Sequence, residues 1–336
     1  MRYNKQDAKA YARAHLRGVW AAALTPFGAD LRFDAEGWRS NLRHWYRDLD
    51  LAGLFVGGKQ GEFYAMSIAE RKRSFEITVE EARAAGKHGS NGSDKGVMIS
   101  CSDQSMDTVL ELAQHAQVIG ADYIVVHTPL LYFSAHSDDT LYEYYRTIAA
   151  SIDIGVTLWN QPPDCGYTIS PELCVRLARE IPNIVAIKYS VPREVYSRLS
   201  RMAGDALIVS CSSEDEWFDN IVELGWQVYL CSSPPYLMQT AVDRRMNEYS
   251  ELAMRGEVAA AKKVRDSLGP VRSALKHSRP HGKPQAHQKY WQELLGQVGG
   301  LVRPPLLQLT EAEKASTREA FAQSGLKVGR PQRAVA

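Results

Sequence analysis

Short apolar runs recur along the chain, and each ends in small or turn-forming residues. They read GVWAAALTPF from Gly18, AGLFVGG from Ala52, GVMISCS from Gly96 and ADYIVVHTPL from Ala121. IGVTLWNQP from Ile154, NIVAIKYS from Asn183, ALIVSCS from Ala206 and WQVYLCS from Trp226 follow, making eight. Unbroken apolar runs rich in β-branched and aromatic residues predict strands buried on both faces, the habit of parallel sheets. The segments between them mix charged and apolar positions at helical spacing. In 34–50, Trp38, Leu42, Trp45 and Leu49 recur every three or four residues and share one face. Ser67 with Glu70 three residues on is a capping box, and it predicts a helix over Ile68–Ala85. Ser170 ahead of a first-turn proline predicts another over Pro171–Glu180. Segments 107–119, 140–151, 193–202 and Glu214–Leu224 complete the series.

Successive strands start about 30 residues apart, the length of one βα unit, and eight such units predict an α/β fold of the (β/α)8 TIM-barrel type. The doubly wound alternative lacks its GxGxxG fingerprint. The organisation expected is an N-terminal helical segment (1–17), a barrel catalytic domain (18–239) and a C-terminal helical extension (240–336). Within the extension, 276–288 is rich in His, Lys, Pro and Ser and reads as a solvated loop, and 327–336 reads as a mobile tail.

Composition narrows the function. Lys and Arg number 40 against 39 Asp and Glu, a formal charge of +1, which argues against a nucleic-acid partner. No apolar run approaches the roughly 18 residues needed to cross a bilayer, so no membrane partner is expected. The five cysteines, Cys101, Cys165, Cys174, Cys211 and Cys231, are odd in number and form no CxxC pair. With no signal-peptide pattern at the start, they predict free thiols and a cytoplasmic location. No convincing HxH or HxxE spacing is present, so no metal site is expected, and a glycine-rich phosphate loop is also missing.

A barrel carries its chemistry at the C-terminal ends of its strands. That rule selects Thr25, the loop Gly57-Gly58-Lys59-Gln60-Gly61-Glu62, His127 and Thr128, Trp159 and Asn160, Lys188 and Tyr189, Cys211 and Cys231. Lys188 ends an almost wholly apolar strand. Partial desolvation there disfavours the ammonium, and a neutral amine is the nucleophile that condenses with a carbonyl to form an imine; a lysine pointing to solvent is the alternative. The glycine-rich loop reads either as a nest of backbone amides for a carboxylate or as an ordinary tight turn. His127 reads either as an acid–base group or as a ring held by backbone hydrogen bonds.

Taken together, these residues resemble the dihydrodipicolinate synthase / N-acetylneuraminate lyase family of class I, pyruvate-handling aldolases. The likeness runs from about Gly18 to Tyr236. Ala23-Leu24-Thr25-Pro26-Phe27 resembles the family's first-strand motif, and Gly57 to Phe63 its Gly-Thr-Thr-Gly-Glu-Phe loop. Thr128-Pro129 is similar to its Thr-Pro, Trp159-Asn160-Gln161-Pro162 with Gly166 to its Tyr-Asn-x-Pro loop, and Ile184 to Lys188 to its lysine strand. The resemblance implies that Lys188 forms the imine with no cofactor beyond that covalent link. It also implies that Gly58 and Gln60 cradle the pyruvyl end and that the enzyme is a homotetramer or dimer of dimers.

The departures redirect the chemistry. The relay tyrosine is Trp159, the paired threonines are Lys59 and Gln60, the tyrosine after Thr-Pro aligns with Leu131 beside Tyr132, and the carboxylate-binding arginine falls on Asp164. Lys59 is therefore the first choice for proton transfer and Tyr132 the second. Trp159 offers a flat wall for an aromatic or apolar aldehyde, Asp164 disfavours a dianionic substrate, and Leu230 completes the substrate-contacting set. The reading is an aldolase or hydratase-aldolase acting on a 2-oxo acid and an aldehyde, both small molecules. A dehydratase of a sugar-derived 2-oxo acid, or an altered member that only binds 2-oxo acids, are the alternatives; dihydrodipicolinate synthesis is disfavoured.

Overall fold

The computed structural model describes residues 2–88, 93–130, 135–230 and 235–329. Its main sheet has eight parallel strands: β1 (Gly18–Ala22), β2 (Gly53–Val56), β3 (Gly96–Ser100), β4 (Tyr123–His127), β5 (Gly155–Asn160), β6 (Ile184–Tyr189), β7 (Ile208–Ser210) and β8 (Val228–Leu230). They stand side by side in the order β8-β1-β2-β3-β4-β5-β6-β7, a nearly closed (β/α)8 barrel built from the eight expected runs. Every strand residue except Gly18 is buried, which is why the runs are apolar throughout rather than alternating. Among the described residues no main-chain ladder joins β7 to β8. Ser210 bridges that seam: its Oγ donates to the Val228 carbonyl and accepts from the Leu230 amide, both at 3.0 Å.

The helices are α1 (Ala8–His15), α2 (Ala35–Arg43), α3 (Ile68–Ala85), α4 (Met106–Val118), α5 (Asp138–Ala150), α6 (Pro162–Cys165) and α7 (Pro171–Glu180). Then come α8 (Arg193–Ala203), α9 (Glu214–Leu224), α10 (Arg245–Met254), α11 (Val258–Ser267), α12 (Gly269–His277), α13 (Pro284–Leu294) and α14 (Glu311–Gln323). Local chemistry sets their starts. Ser67 and Glu70 exchange the two bonds of a capping box at α3, and Ser170 Oγ accepts from the Leu173 amide at 3.0 Å ahead of Pro171 in α7. The segment expected as one helix over 34–50 is α2 followed by a π-type turn, His44–Asp48.

α1 buries Ala8 and Ala12, with Leu16 directly after it, and lies across the lower end of the barrel, where Lys9 Nζ donates to the Ile181 and Pro182 carbonyls. The floor above it is the Trp20 indole. A Cβ at Gly53 or Gly96 would meet that ring at 2.5 or 2.2 Å, so the two glycines make its seat. One continuous apolar cluster runs from Ala8 through the barrel to Tyr249 and Trp291 in the C-terminal helices.

One expectation for the C-terminal region is corrected. Only residues 278–283 separate α12 from α13, so 276–288 is not one loop; Pro284 stands in the first turn of α13, where proline fits a helix. His277 and His281 are exposed, but Gln285, His287 and Gln288 are buried, because α13 turns them inward. At the start of the segment expected as a tail, the Lys327 carbonyl accepts from Thr240 Oγ1 at 2.7 Å and its amide donates to Asp243 Oδ2 at 3.1 Å; 330–336 lie outside the described residues. No described helix is long and apolar enough to cross a membrane.

Candidate active site

Partners in a parallel ladder share a face, and the register places His127, Trp159, Lys188 and Ser210 side by side at the upper ends of β4, β5, β6 and β7. Lys188 is only 3% exposed. Its Nζ lies 4.9 Å from the centre of the Phe55 ring and 5.2 Å from that of Trp159, and these two rings meet edge to face at 5.3 Å. Two aromatic walls thus flank the amine expected to form the imine.

The loop after β2 forms the opposite side of the mouth. Gly57 has φ +69°, and a Cβ at Gly57 or Gly58 would sit 2.6 Å from the ring of Phe75 or Phe55. Only glycine lets the chain turn so closely over those rings into the single turn Lys59–Gly61. Glu62 then takes a left-handed conformation, φ 55°, with its carboxylate wholly buried. Lys289 Nζ stands 2.5 Å from its Oε1, and its Oε2 accepts from the Arg303 amide at 2.9 Å. Lys289 also donates to the Leu301 carbonyl at 2.6 Å and lies 4.5 Å over Phe27. Burial pushes the Lys289 ammonium down, to about 8, although Glu62 pulls the other way. Arg303 stacks on Phe27 and pairs with Glu70, whose carboxyl it holds at about 2. The segment from α13 to Arg303 therefore clamps the loop from behind.

Two departures from the family pattern meet in space. Lys59 Nζ reaches Asp164 Oδ1 and Oδ2 at 2.7 and 2.8 Å, closing a bridge between the loops after β2 and β5. Lys59 thus faces a carboxylate, and Asp164 faces a cation. His127 Nε2 lies 3.8 Å from Asp164 Oδ2, its Nδ1 bonds to the Thr128 carbonyl at 2.6 Å, and its ring packs on Trp159 at 4.5 Å. Asn160 braces the same region: its Nδ2 donates to Thr128 Oγ1 and to the Tyr167 carbonyl, and its Oδ1 accepts from the Ile169 amide. Leu230 is buried one strand beyond Ser210, which holds its amide. Gly58 and Gln60 flank Lys59 in the loop. Tyr132 lies outside the described residues, as does Cys231.

Cysteine chemistry has little support. Burial pushes the Cys101 and Cys211 thiols up to about 12 and raises those of Cys165 and Cys174 as well. Among the described residues no group of three or more His, Cys, Asp or Glu is placed to hold a metal. A cavity of about 280 Å³ opens beside the end of β7, lined by Ser212, Ser213, Arg272, Lys276, Arg279 and His287. Ser212 Oγ is 2.9 Å from Ser190 Oγ, two residues past Lys188, so this polar cavity adjoins the mouth.

Sequence reasoning missed Phe55, the seam residue Ser210 and the Glu62–Lys289 clamp. β2 is apolar on both faces, so nothing in its pattern says which residue turns inward. The clamp joins segments far apart in the chain, and no local signal marks it.

A barrel with a buried lysine ending its sixth strand, aromatic walls and a glycine loop opposite defines a class I, imine-forming lyase. Residues 15–324 match the model of the Dihydrodipicolinate synthetase family, and the chain belongs to that family. Its enzymes work through a covalent lysine–pyruvate imine and need no separate cofactor. A 4-hydroxy-tetrahydrodipicolinate synthase of Methanothrix thermoacetophila is 27% identical over 305 residues, 90% of this chain and 95% of that one. A probable 5-dehydro-4-deoxyglucarate dehydratase of Bradyrhizobium diazoefficiens is 26% identical, with 89% of each chain covered. The fold is also that of the dihydrodipicolinate synthase of Acinetobacter baumannii complexed with pyruvate, at TM-score 0.78 and 21% identity, covering 93% of this chain and all of that one.

Proposed function

We propose that the protein is a class I aldolase or hydratase-aldolase that joins or splits pyruvate, or a related 2-oxo acid, and an aromatic or apolar aldehyde. The observation that carries this reading is Lys188, buried at the end of β6 between Phe55 and Trp159. Its amine attacks the ketone carbon and water leaves, giving an iminium that withdraws electrons from the neighbouring C–C or C–O bond. The amides at Gly58 and Gln60 receive the 2-oxo acid's carboxylate, and Leu230 lines the far side. Lys59 supplies positive charge and a proton route at the mouth, with Tyr132 as a second donor, while Asp164 keeps a second substrate carboxylate away. The rings of Trp159 and Phe55 favour a flat apolar partner. A homotetramer completes the proposal.

One observation favours a second reading. The cavity beside β7 is lined by serines, basic groups and His287, which suits a hydroxylated 2-oxo acid, and one relative is named as a dehydratase. Borohydride with pyruvate should add one reduced pyruvyl group, seen by mass spectrometry on the peptide containing Lys188 and absent from Lys188→Ala. Unmodified wild type at saturating pyruvate would overturn the imine reading for that ligand. Turnover of pyruvate with benzaldehyde-type aldehydes, set against dehydration of deoxy sugar acids, separates the two substrate classes.

A further inference from the structure

The mouth lacks the tyrosine at Trp159, yet an imine enzyme must still move the proton on C3 of its 2-oxo acid. His127 has the geometry for that step. A carbonyl can only accept, so the 2.6 Å contact to the Thr128 oxygen fixes the proton on Nδ1 and leaves the lone pair on Nε2. That Nε2 is buried and makes no hydrogen bond, and the Nε1–H of Trp159, whose ring centre lies 4.5 Å from that of His127, is likewise buried and without an acceptor. Buried polar atoms are nearly always paired, so an acceptor and a donor left unmet on two packed rings point to a ligand. Lys188 stands on the other side of the same indole. His127, Trp159 and Lys188 are register neighbours on three adjacent strands, which sets the Cα atoms of the two end residues about 10 Å apart. The Trp159 ring lies 4.5 Å from the His127 ring and 5.2 Å from Lys188 Nζ, and the Lys188 charge acts on the imidazole.

We propose that His127 is the proton-transfer group of this enzyme, and that Asp164 and Lys59 carry its proton to solvent. This rests on the imine reading above. In the forward step the C3–H bond breaks, its proton passes to Nε2, its electron pair forms the C2–C3 double bond, and the iminium nitrogen becomes a neutral enamine nitrogen. The imidazolium so formed faces the Asp164 carboxylate 3.8 Å away, which stabilises it, and Asp164 is held by Lys59, itself partly exposed. The charged groups facing the ring are Asp164 from the loop after β5, Lys59 from the loop after β2 and Lys188 from β6. Burial lowers the imidazole below its ordinary value, with the two lysines adding to the effect and the Thr128 carbonyl and Asp164 opposing it, so the ring is neutral and basic near pH 7.

The test uses the full-length protein with pyruvate in heavy water, following loss of the methyl proton signal by NMR and, in parallel, borohydride trapping by mass spectrometry. Wild type should be trapped and should exchange its methyl protons. His127→Gln should still be trapped, with exchange slowed about a hundredfold or more. Trapping with exchange within a few-fold of wild type would overturn the assignment. Absence of trapping in wild type would instead overturn the imine reading, and this proposal with it. If His127→Gln does not fold, the wild-type pH profile decides. Exchange per trapped enzyme should fall about tenfold per pH unit once the imidazole is protonated, on a limb below 6.5. Asp164→Asn should move that limb to lower pH; a flat profile, or an unmoved limb, counts against the relay.

Discussion

Lys188 and Lys289 are both buried lysines, and their surroundings differ in kind. Lys289 meets a carboxylate, a main-chain carbonyl and a ring: Glu62, Leu301 and Phe27 occupy its directions of approach. Lys188 is flanked by the rings of Phe55 and Trp159, and Trp159 in turn packs on His127, whose Nε2 makes no hydrogen bond. The clamp is a finished arrangement in which burial is offset by partners. The mouth sets an amine proposed to react between two aromatic rings, beside an imidazole that bonds on one side only. Desolvation alone does not make a lysine reactive, and what stands around it decides between structure and chemistry.

The sharpest way to break that contrast is to remove each lysine in turn. Lys188→Ala should abolish borohydride trapping and lower turnover by about 10⁴-fold or more, because the covalent step has no substitute. Its urea midpoint should stay close to wild type or rise, as is common when a buried charge is taken from an active site. Lys289→Met should do the reverse. It leaves the Glu62 carboxylate buried without its cation, at a cost of about 3–5 kcal/mol in urea unfolding. The Lys289→Met/Glu62→Gln pair should recover part of that loss, since neither partner is then stranded. If Lys289→Met unfolds at the wild-type midpoint, the Glu62–Lys289 pair does not hold the fold together.

The two lysines were unequally visible in the amino-acid pattern. Lys188 was legible because a strand end in a barrel is a defined place and the Ile184–Lys188 run carries a family signature. Elements with local signals were legible as well, such as α3 behind Ser67 and Glu70. Lys289 was hidden directly after a stretch, 276–288, whose His, Lys, Pro and Ser content reads as solvated, whereas α13 is enclosed almost all round and buries Gln285, His287, Gln288 and Lys289. Phe55 was hidden for a different reason: a strand buried on both faces has no alternation to reveal its inward residues. The sequence offers Lys59 as a proton-transfer group and Asp164 as a bar to a dianionic substrate, but their pairing is a long-range fact that spacing does not carry.

His287 extends the comparison to pH. Burial, with help from Arg279, pushes its imidazole down to about 4, while its Nε2 keeps a 2.8 Å bond to Ser278 Oγ. The unfolded histidine binds a proton near pH 6.5 and the folded one only near 4, so between those values the unfolded chain holds the extra proton. Stability from this residue is complete above pH 6.5 and falls as pH drops toward 4, by about 3 kcal/mol in all. Urea titrations at pH 7 and pH 4.5 should show that loss in wild type and a smaller one in His287→Gln. An equal loss in both would assign the acid sensitivity to other groups.

The smallest effect on stability belongs to the bridge at the mouth. Lys59 is 45% exposed and Asp164 22%, so water screens the pair, and breaking it should cost under about 1 kcal/mol. Its influence on binding should be larger than its influence on folding. Lys59→Met leaves the Asp164 carboxylate facing an entering 2-oxo acid, so like-charge repulsion should raise KM for pyruvate roughly tenfold, about 1.4 kcal/mol. In Lys59→Met/Asp164→Asn that repulsion is gone, and KM should return toward wild type while proton exchange stays slow, because the route from His127 has lost both its members. Should KM stay high in the double variant, Lys59 would be contacting the substrate directly, and the bridge would be a resting state that opens on binding.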